Sequence, residues 1–291
     1  MDILQAIASG IAFGVLYGLI GLGFSIMYRT TGILNFAQGD LVVLGGYVVV
    51  RLDQHGWPLG LALLVAGLAV GVFMALIERI VLQRVYGYGL AYPIVVTVGL
   101  ALAIESGIQL VEGATPEFPP LLTADAPIDI GGVHVTHQQI AVVIVAVVLA
   151  ALAIGFVEWT RVGRALRAVA VDRHVAGLLG IPAKWYFTLA FLVGGGIAGV
   201  TGGLLGDAYT LTPTLGLSLS LAGFTAAIIG GLGNGYGAML GGILVGVLEN
   251  LAVLYISPGY KEGVALGALI LFLLVRPDGL LGEPAAHGRA V

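Results

Sequence analysis

From residue 3 to residue 27 the chain runs for 25 positions without a charged side chain. A helix needs about 20 mostly apolar residues to cross the hydrocarbon core of a bilayer. Mostly apolar runs recur at 58–77, 93–111, 139–157, 185–205, 217–232, 237–255 and, shorter, 264–275, the second and sixth of these each holding one glutamate. In lipid the backbone of each run must satisfy its own polar groups, which makes helices the expected form. One further segment, 31–50, is long enough to cross but polar in its first half. The expected architecture is therefore an all-α polytopic membrane protein with nine crossings, or eight if that irregular segment does not span. No Lys or Arg precedes Arg29, so the first run lacks the basic flank of a signal peptide and reads as a retained helix. Composition agrees. The chain is 59% hydrophobic and only 10% charged, against about 45–50% and about 25% in soluble domains. Glycine occupies 47 of 291 positions, as suits helices that approach closely in lipid. There is no cysteine, which removes disulfides and thiolate chemistry, and the net charge of −4 speaks against a nucleic-acid partner.

Orientation is read from the basic residues, which favour the cytoplasmic side. Arg161, Arg164, Arg167, Arg173 and Lys184 all fall in one connection. With nine crossings, Arg29, Arg79, Arg84, Arg276 and Arg289 join that side, and only Arg51 and Lys261 face the other. This places the N-terminus outside and the C-terminus in the cytoplasm. The stretch 112–137 holds four acids and no Lys or Arg. It reads as an ordered external loop with a short strand near 128–135. Residues 1–281 then form a single membrane domain, and 282–291 a small polar cytoplasmic tail.

Three segments do not read as plain spans. The first is T-T-G-I-L-N-F-A-Q-G-D, residues 30–40, which puts Asn35, Gln38 and Asp40 inside an apolar run. One reading is a discontinuous helix beside a polar pathway. The other is a turn in which Asp40 caps a shorter helix. The second, I-G-G-L-G-N-G-Y-G-A-M-L-G-G at 229–242, contains Asn234 and sits on the same side. Asn35 with Gly39 and Asn234 with Gly237 are candidate equivalent points of a parallel internal repeat, and a tight turn with close helix packing is the alternative. The third, 161–181, spaces Arg164 and Arg167 among apolar residues at helical intervals, and Pro182 ends it. Asp172, Ala176 and Gly180 recur every four residues, so they share a small-residue face open to a docking partner.

The 30–40 stretch, G-R-A-L-R-A-V-A-V-D with A-G-L-L-G-I (163–181), and G-G-L-G-N-G-Y-G-A (230–238) occur in one order. In this they resemble the LivH-type permeases of branched-chain amino acid ABC importers and their amide- and urea-transporting relatives. The likeness extends over about 10–279, and Gln38 departs from the histidine common at its position. The resemblance implies a permease subunit that imports a small polar solute, most simply a branched-chain or other hydrophobic amino acid, by alternating access across the bacterial inner membrane. It implies a second permease subunit, identical or homologous, two ATPase subunits carrying ATP and Mg, and an external solute-binding protein. Lipid surrounds the domain, and this chain binds no cofactor itself. Arg164, Arg167, Asp172, Ala176 and Gly180 would belong to the coupling segment. A substrate pathway would draw on Asn35, Gln38, Asp40, Glu105 and Asn234.

The chain has no G-x-x-x-x-G-K-[ST] loop for nucleotide phosphates and no G-x-S-x-G elbow. An enzyme is not expected, nor is a metal site at His134 and His137. Glu105 and Glu249 lie within spans, where ionisable groups invite a functional reading. Each is open to a pathway role, to snorkelling, or to a structural pair such as Glu105 with Gln109. Asp207 and Pro213 are expected at the external mouth. The competing function is a self-sufficient channel or secondary transporter for an amide- or urea-type solute. It accounts for the broken helix but leaves the basic segment without a partner.

Overall fold

The computed structural model describes residues 3–86, 88–89, 91–113, 115–118, 128–130, 133–206 and 209–282. Eight helical stretches among them are long and apolar enough to cross a membrane. They contain α1 (Ile3–Thr31), α3 (Leu59–Ile80), α4 (Ala91–Glu112), α5 (His137–Trp159), α8 (Ala183–Gly203), α9 (Gly216–Gly230), α10 (Gly235–Tyr255) and α11 (Lys261–Val275). The irregular segment becomes α2 (Gln38–Gln54), of 17 residues. Its C-terminal Arg51 donates to Glu112, at the end of α4, so segment 32–54 makes a ninth traverse of the bundle. Two short helices, α6 (Arg161–Val171) and α7 (Arg173–Leu178), link α5 to α8 and mark what is called here the basic end.

Glycine builds the interior. A Cβ on Gly242 would collide with the backbone of Gly18 and Gly14, and one on Gly246 with Gly10 and Gly14, so α10 lies backbone to backbone on α1. Gly71 meets Leu192 and Gly196 in the same way, and Gly199 meets Ala66, so α3 lies on α8. These two contacts are equivalent. Exchanging α1 with α8, α2 with α9 and α3 with α10 maps the packing onto itself, and α2 touches α9 where Gly39 meets Gly216 and Ser220. Because α1 runs toward the basic end and α8 runs away from it, the repeat is inverted. Of the two readings of 229–242, the parallel repeat is not what the packing shows: the counterpart of the α1–α2 break is the α8–α9 connection, and Asn234 lies elsewhere.

Each repeat closes on a loosely packed helix, α4 or α11, whose apolar windows are only 17% and 11% buried. On α4, Gly99 and Gly107 face open space, as do Gly263 and Gly267 on α11. The fifth helix stands between the repeats. It starts with a capping box, Thr136 Oγ1 accepting from Gln139 N and Gln139 Oε1 from Thr136 N. It buries Val142, Ala146, Ala150, Ile154 and Val157, one stripe of a 3.6-residue period. The expected strand before it is a hairpin of β1 (Ile128–Ile130) and β2 (Val133–Val135). Gln5 fastens β2 to α1 through both backbone groups of His134, at 2.9 and 2.8 Å. The remainder of that loop from 119 to 127, Asp207 and residues 283–291 lie outside the described residues.

Candidate functional site

The T-T-G-I-L-N-F-A-Q-G-D stretch folds as a break within the bundle. Gly32 takes a left-handed φ of 73° and ends α1. The chain then turns back and α2 begins at Gln38, against Gly23 of α1 and Gly194 of α8. Irregular backbone at this depth persists only if protein satisfies it, and neighbouring hydroxyls do so. Thr97 Oγ1 of α4 accepts from Phe36 N at 3.3 Å and faces the Leu34 carbonyl. Ser220 Oγ of α9 accepts from Gly39 N and donates to the Phe36 carbonyl, both at 2.8 Å.

Asn35 and Gln38 are fully buried, and Asp40 is 3% exposed. Gln38 Nε2 donates to the Gly194 carbonyl at 3.1 Å, while its Oε1 meets no donor among the described residues. Asn35 Oδ1 accepts from Ala37 N, but among the described residues its Nδ2 faces only the thioether sulfurs of Met27 and Met74, at 3.7 and 4.0 Å. A buried polar atom without a proper partner costs about 1–3 kcal/mol, so this corner retains capacity for a polar ligand. Asp40, in the first turn of α2, lies against Gly216 at the start of α9. Its carboxylate thus sits at the positive ends of two helices. Glu105 on α4 is the charged group acting on it electrostatically and takes a 3.4 Å hydrogen bond from Gln109.

The structure therefore brings Asn35, Gln38, Asp40 and Glu105 to one region. It does not bring Asn234 there. Asn234 caps α10 by accepting from Gly237 N at 3.0 Å and donates to the Leu281 carbonyl at 2.8 Å. It does line a cavity of about 1260 Å³ at the basic end, with Arg29, Gly32, Ile33, Tyr86 and Arg173. That cavity leads from the basic end to the first residues of the break. Thr97 and Ser220 escape a sequence reading because a lone hydroxyl in an apolar run carries no signal of what it reaches.

In the basic segment, Asp172 caps α7, its Oδ1 accepting from His174 N and Val175 N at 2.7 and 3.0 Å. Ala176 turns inward, packing with Val169 on Phe187 of α8 and on Tyr86. Gly180 ends α7 with φ 80°. So Asp172, Ala176 and Gly180, expected on one open face, play three parts: cap, core and terminator. The exposed apolar surface is instead Val171, Val175, Leu178 and Leu179, with Leu178 at 77% exposure. Beneath it, fully buried Glu78 accepts from Tyr86 at 2.7 Å and from Thr188 at 2.6 Å. Burial, reinforced by the Glu78 charge, holds the Tyr86 phenol far above the ordinary tyrosine range. Arg164 is exposed, and Arg167 binds Glu158 at 3.1 Å.

At the opposite end Glu249 is buried, accepting from Tyr17 Oη at 2.7 Å with Lys261 Nζ 3.4 Å away. The ammonium of Lys261 also sits 4.6 Å over the Phe13 ring and 3.2 Å from Tyr209 Oη. Glu249 thus fastens α10 to α1 and α11. Removing one member of a buried pair strands the other charge, at a cost of about 3 kcal/mol. Lys261→Met is expected to lower the thermal midpoint of the purified protein by several degrees. Adding Glu249→Gln should recover most of that loss, and no recovery would remove the pair from the account.

The family profile described as branched-chain amino acid transport system, permease component, matches residues 6–274. The high-affinity branched-chain amino acid transport system permease protein LivH of Escherichia coli K12 is 33% identical across 97% of this chain and 96% of its own. The chain belongs to this permease family. BraD of Pseudomonas aeruginosa, a permease protein of the same kind of system, is 31% identical over the same shares. Among solved structures, PsaBC from Streptococcus pneumoniae in complex with Fab matches with a TM-score of 0.53 and 15% identity, covering 96% of this chain and 93% of that one. This last likeness bears on the fold alone. The permease is thus a multi-pass membrane transport subunit of the ABC type, and its relatives are transport components, not enzymes.

Proposed function

We propose that this permease imports branched-chain amino acids across the inner membrane, with the N-terminus outside and the α6–α7 end in the cytoplasm. The solute passes the break before α2, where Asn35, Gln38, Asp40 and Glu105 gather. It leaves through the cavity that Asn234 lines. The observation that carries this reading is the polar, incompletely satisfied start of α2, which follows within a few residues of Gly32 and Ile33 in the wall of that cavity. The loose outer faces of α4 and α11 suit a second permease subunit, identical or homologous, and lipid covers what remains. Two ATPase subunits, holding ATP and Mg, dock on Val171, Val175, Leu178 and Leu179 of the α6–α7 segment, flanked by Arg164. That segment and the loop 112–137 are regions of one membrane domain, 1–281, followed by the tail 282–291. An external binding protein delivers the solute, so the pathway needs few polar contacts of its own.

The test is reconstitution in proteoliposomes with the partner ATPases, binding protein and radiolabelled leucine. ATP-dependent accumulation is expected, lost without ATPase subunits. Flux that persists without them, with urea or acetamide preferred, would replace this reading by the self-sufficient channel. Because the chain has no cysteine, Gln38→Cys provides a clean probe of the pathway. It should react with a small polar thiol reagent during turnover, and inertness in every state would return residues 30–40 to a packing role.

A further inference from the structure

One ion cluster belongs neither to the break nor to the exposed α7 surface, yet it joins the elements that carry them. Glu158, at the end of α5, binds Arg29 of α1 through Oε1 at 3.2 Å and Arg167 of α6 through Oε2 at 3.1 Å. Arg167 also donates to the Val157 carbonyl. Arg29 stands three residues before Gly32, the left-handed residue at which α1 ends, and a Cβ on Gly32 would meet nothing within 4 Å. A left-handed glycine turn with open space beside it, where the chain changes direction, therefore lies immediately beyond the arginine that Glu158 holds.

Packing alone fixes this joint incompletely. A water-sized pocket of about 20 Å³ remains between α1, α5, α6 and α10, lined by Ser25, Ile154 and Leu166 and by the cluster's own Arg29, Glu158 and Arg167. The buried Ser25 Oγ beside it has no hydrogen-bond partner among the described residues. Interlocked side chains transmit displacement in close-packed interiors, and an underfilled joint transmits less. The two carboxylate oxygens, each committed to a different helix, supply a directed link instead. All three side chains of the cluster are about one-third exposed, from 27% to 36%. Such pairs contribute little to stability, so the cluster has little explanation as a fold-stabilising device.

We infer that Glu158 is a positioning residue for transport, the bidentate tie through which displacement of α6 reaches the end of α1 and the break at 32–37. The inference rests on the proposed function of α6–α7 as the ATPase-coupled segment. Displacement of α6 carries Arg167; Glu158 passes the shift to Arg29; the turn at Gly32 converts it into movement of the segment bearing Asn35. Glu158→Gln keeps the shape and one hydrogen-bonding oxygen but removes the charge that binds both arginines at once. Glu158→Asp keeps the charge.

The experiment uses the assembled transporter in proteoliposomes, with Leu34→Cys as the sole cysteine and a small polar maleimide as probe. With Glu158 intact, the labelling rate of Cys at 34 should change on addition of ATP. With Glu158→Gln, that response should be lost and leucine transported per ATP should fall roughly tenfold, while ATP hydrolysis and membrane insertion persist. Glu158→Asp should restore part of both responses. A nucleotide response undiminished in Glu158→Gln, or an unchanged transport ratio, overturns the tie but leaves the pathway reading standing. Labelling that ignores ATP even with Glu158 intact overturns the pathway reading and the tie together.

Discussion

Replacing Gly242 with leucine is expected to abolish the folded permease. The Cβ alone would overlap the backbone N and Cα of Gly18 and the carbonyl of Gly14. These are main-chain atoms of α1 and cannot rotate aside. Overpacking in a well-packed core costs about 1–3 kcal/mol, and a branched side chain between two backbones reaches or exceeds the top of that range. The protein should insert but fail to give a monodisperse species in detergent, with its thermal transition lost or broadened. Gly107→Ala is the matched control, because a Cβ there meets nothing within 4 Å. It should be neutral or slightly stabilising, since alanine is favoured over glycine in a helix interior by about 0.5–1 kcal/mol. Equal behaviour of the two variants would mean that α1 and α10 do not meet through these glycines.

The second large effect concerns α7. Leu178 and Leu179 are 77% and 74% exposed, on a short helix whose inward face is already closed by Ala176. If the ATPase subunits bury these leucines, each is worth about 2 kcal/mol of association, roughly thirtyfold in affinity. The double variant Leu178→Glu/Leu179→Glu should therefore purify without ATPase subunits and show no ATP-dependent uptake. Its thermal stability as an isolated permease should be unchanged, because neither side chain contributes to the core. Retention of the ATPases at wild-type stoichiometry would move the docking surface elsewhere. Gly180 is a poorer probe of the same idea. Its φ of 80° penalises any L side chain whether or not a partner contacts it.

Much of the fold was legible in the chain because the relevant forces are local. Apolar run length located the spans, and helix boundaries fell within a few residues of it: 237–255 against Gly235–Tyr255, and 139–157 against His137–Trp159. The break was legible for the same reason, since Asn35, Gln38 and Asp40 interrupt an apolar run within six residues. The Glu105–Gln109 bond was readable from its spacing on one helix. The ends of α1 and α2 were less so. The first helix runs on to Thr31, and the second begins only at Gln38.

What remained hidden required distances between segments far apart in sequence. Four-residue spacing put Asp172, Ala176 and Gly180 on one face, but Asp172 ends one helix and caps the next, which breaks the periodicity. Glu158 carries no signal in the sequence of its partner Arg29, 129 residues away, which only the fold places beside it. Lys261 was expected only to face the outer side, and the structure turns it inward onto Glu249. The inverted repeat left no usable identity pattern because small residues recur throughout the chain.

The opening run of 25 uncharged residues and its successors determined, without any structure, that this chain is a bundle of membrane helices with a polar interruption in the second. Continuous apolar runs of this length fit spanning helices and not the alternating strands of a barrel, and each helix reports itself through its own composition. Tertiary structure alone decided which of the 47 glycines are contact points, and that Asp40 meets the start of α9. It also decided which apolar residues of the basic segment stay exposed. These are matters of pairwise approach between helices, and a linear pattern of small residues is compatible with many ways of pairing them.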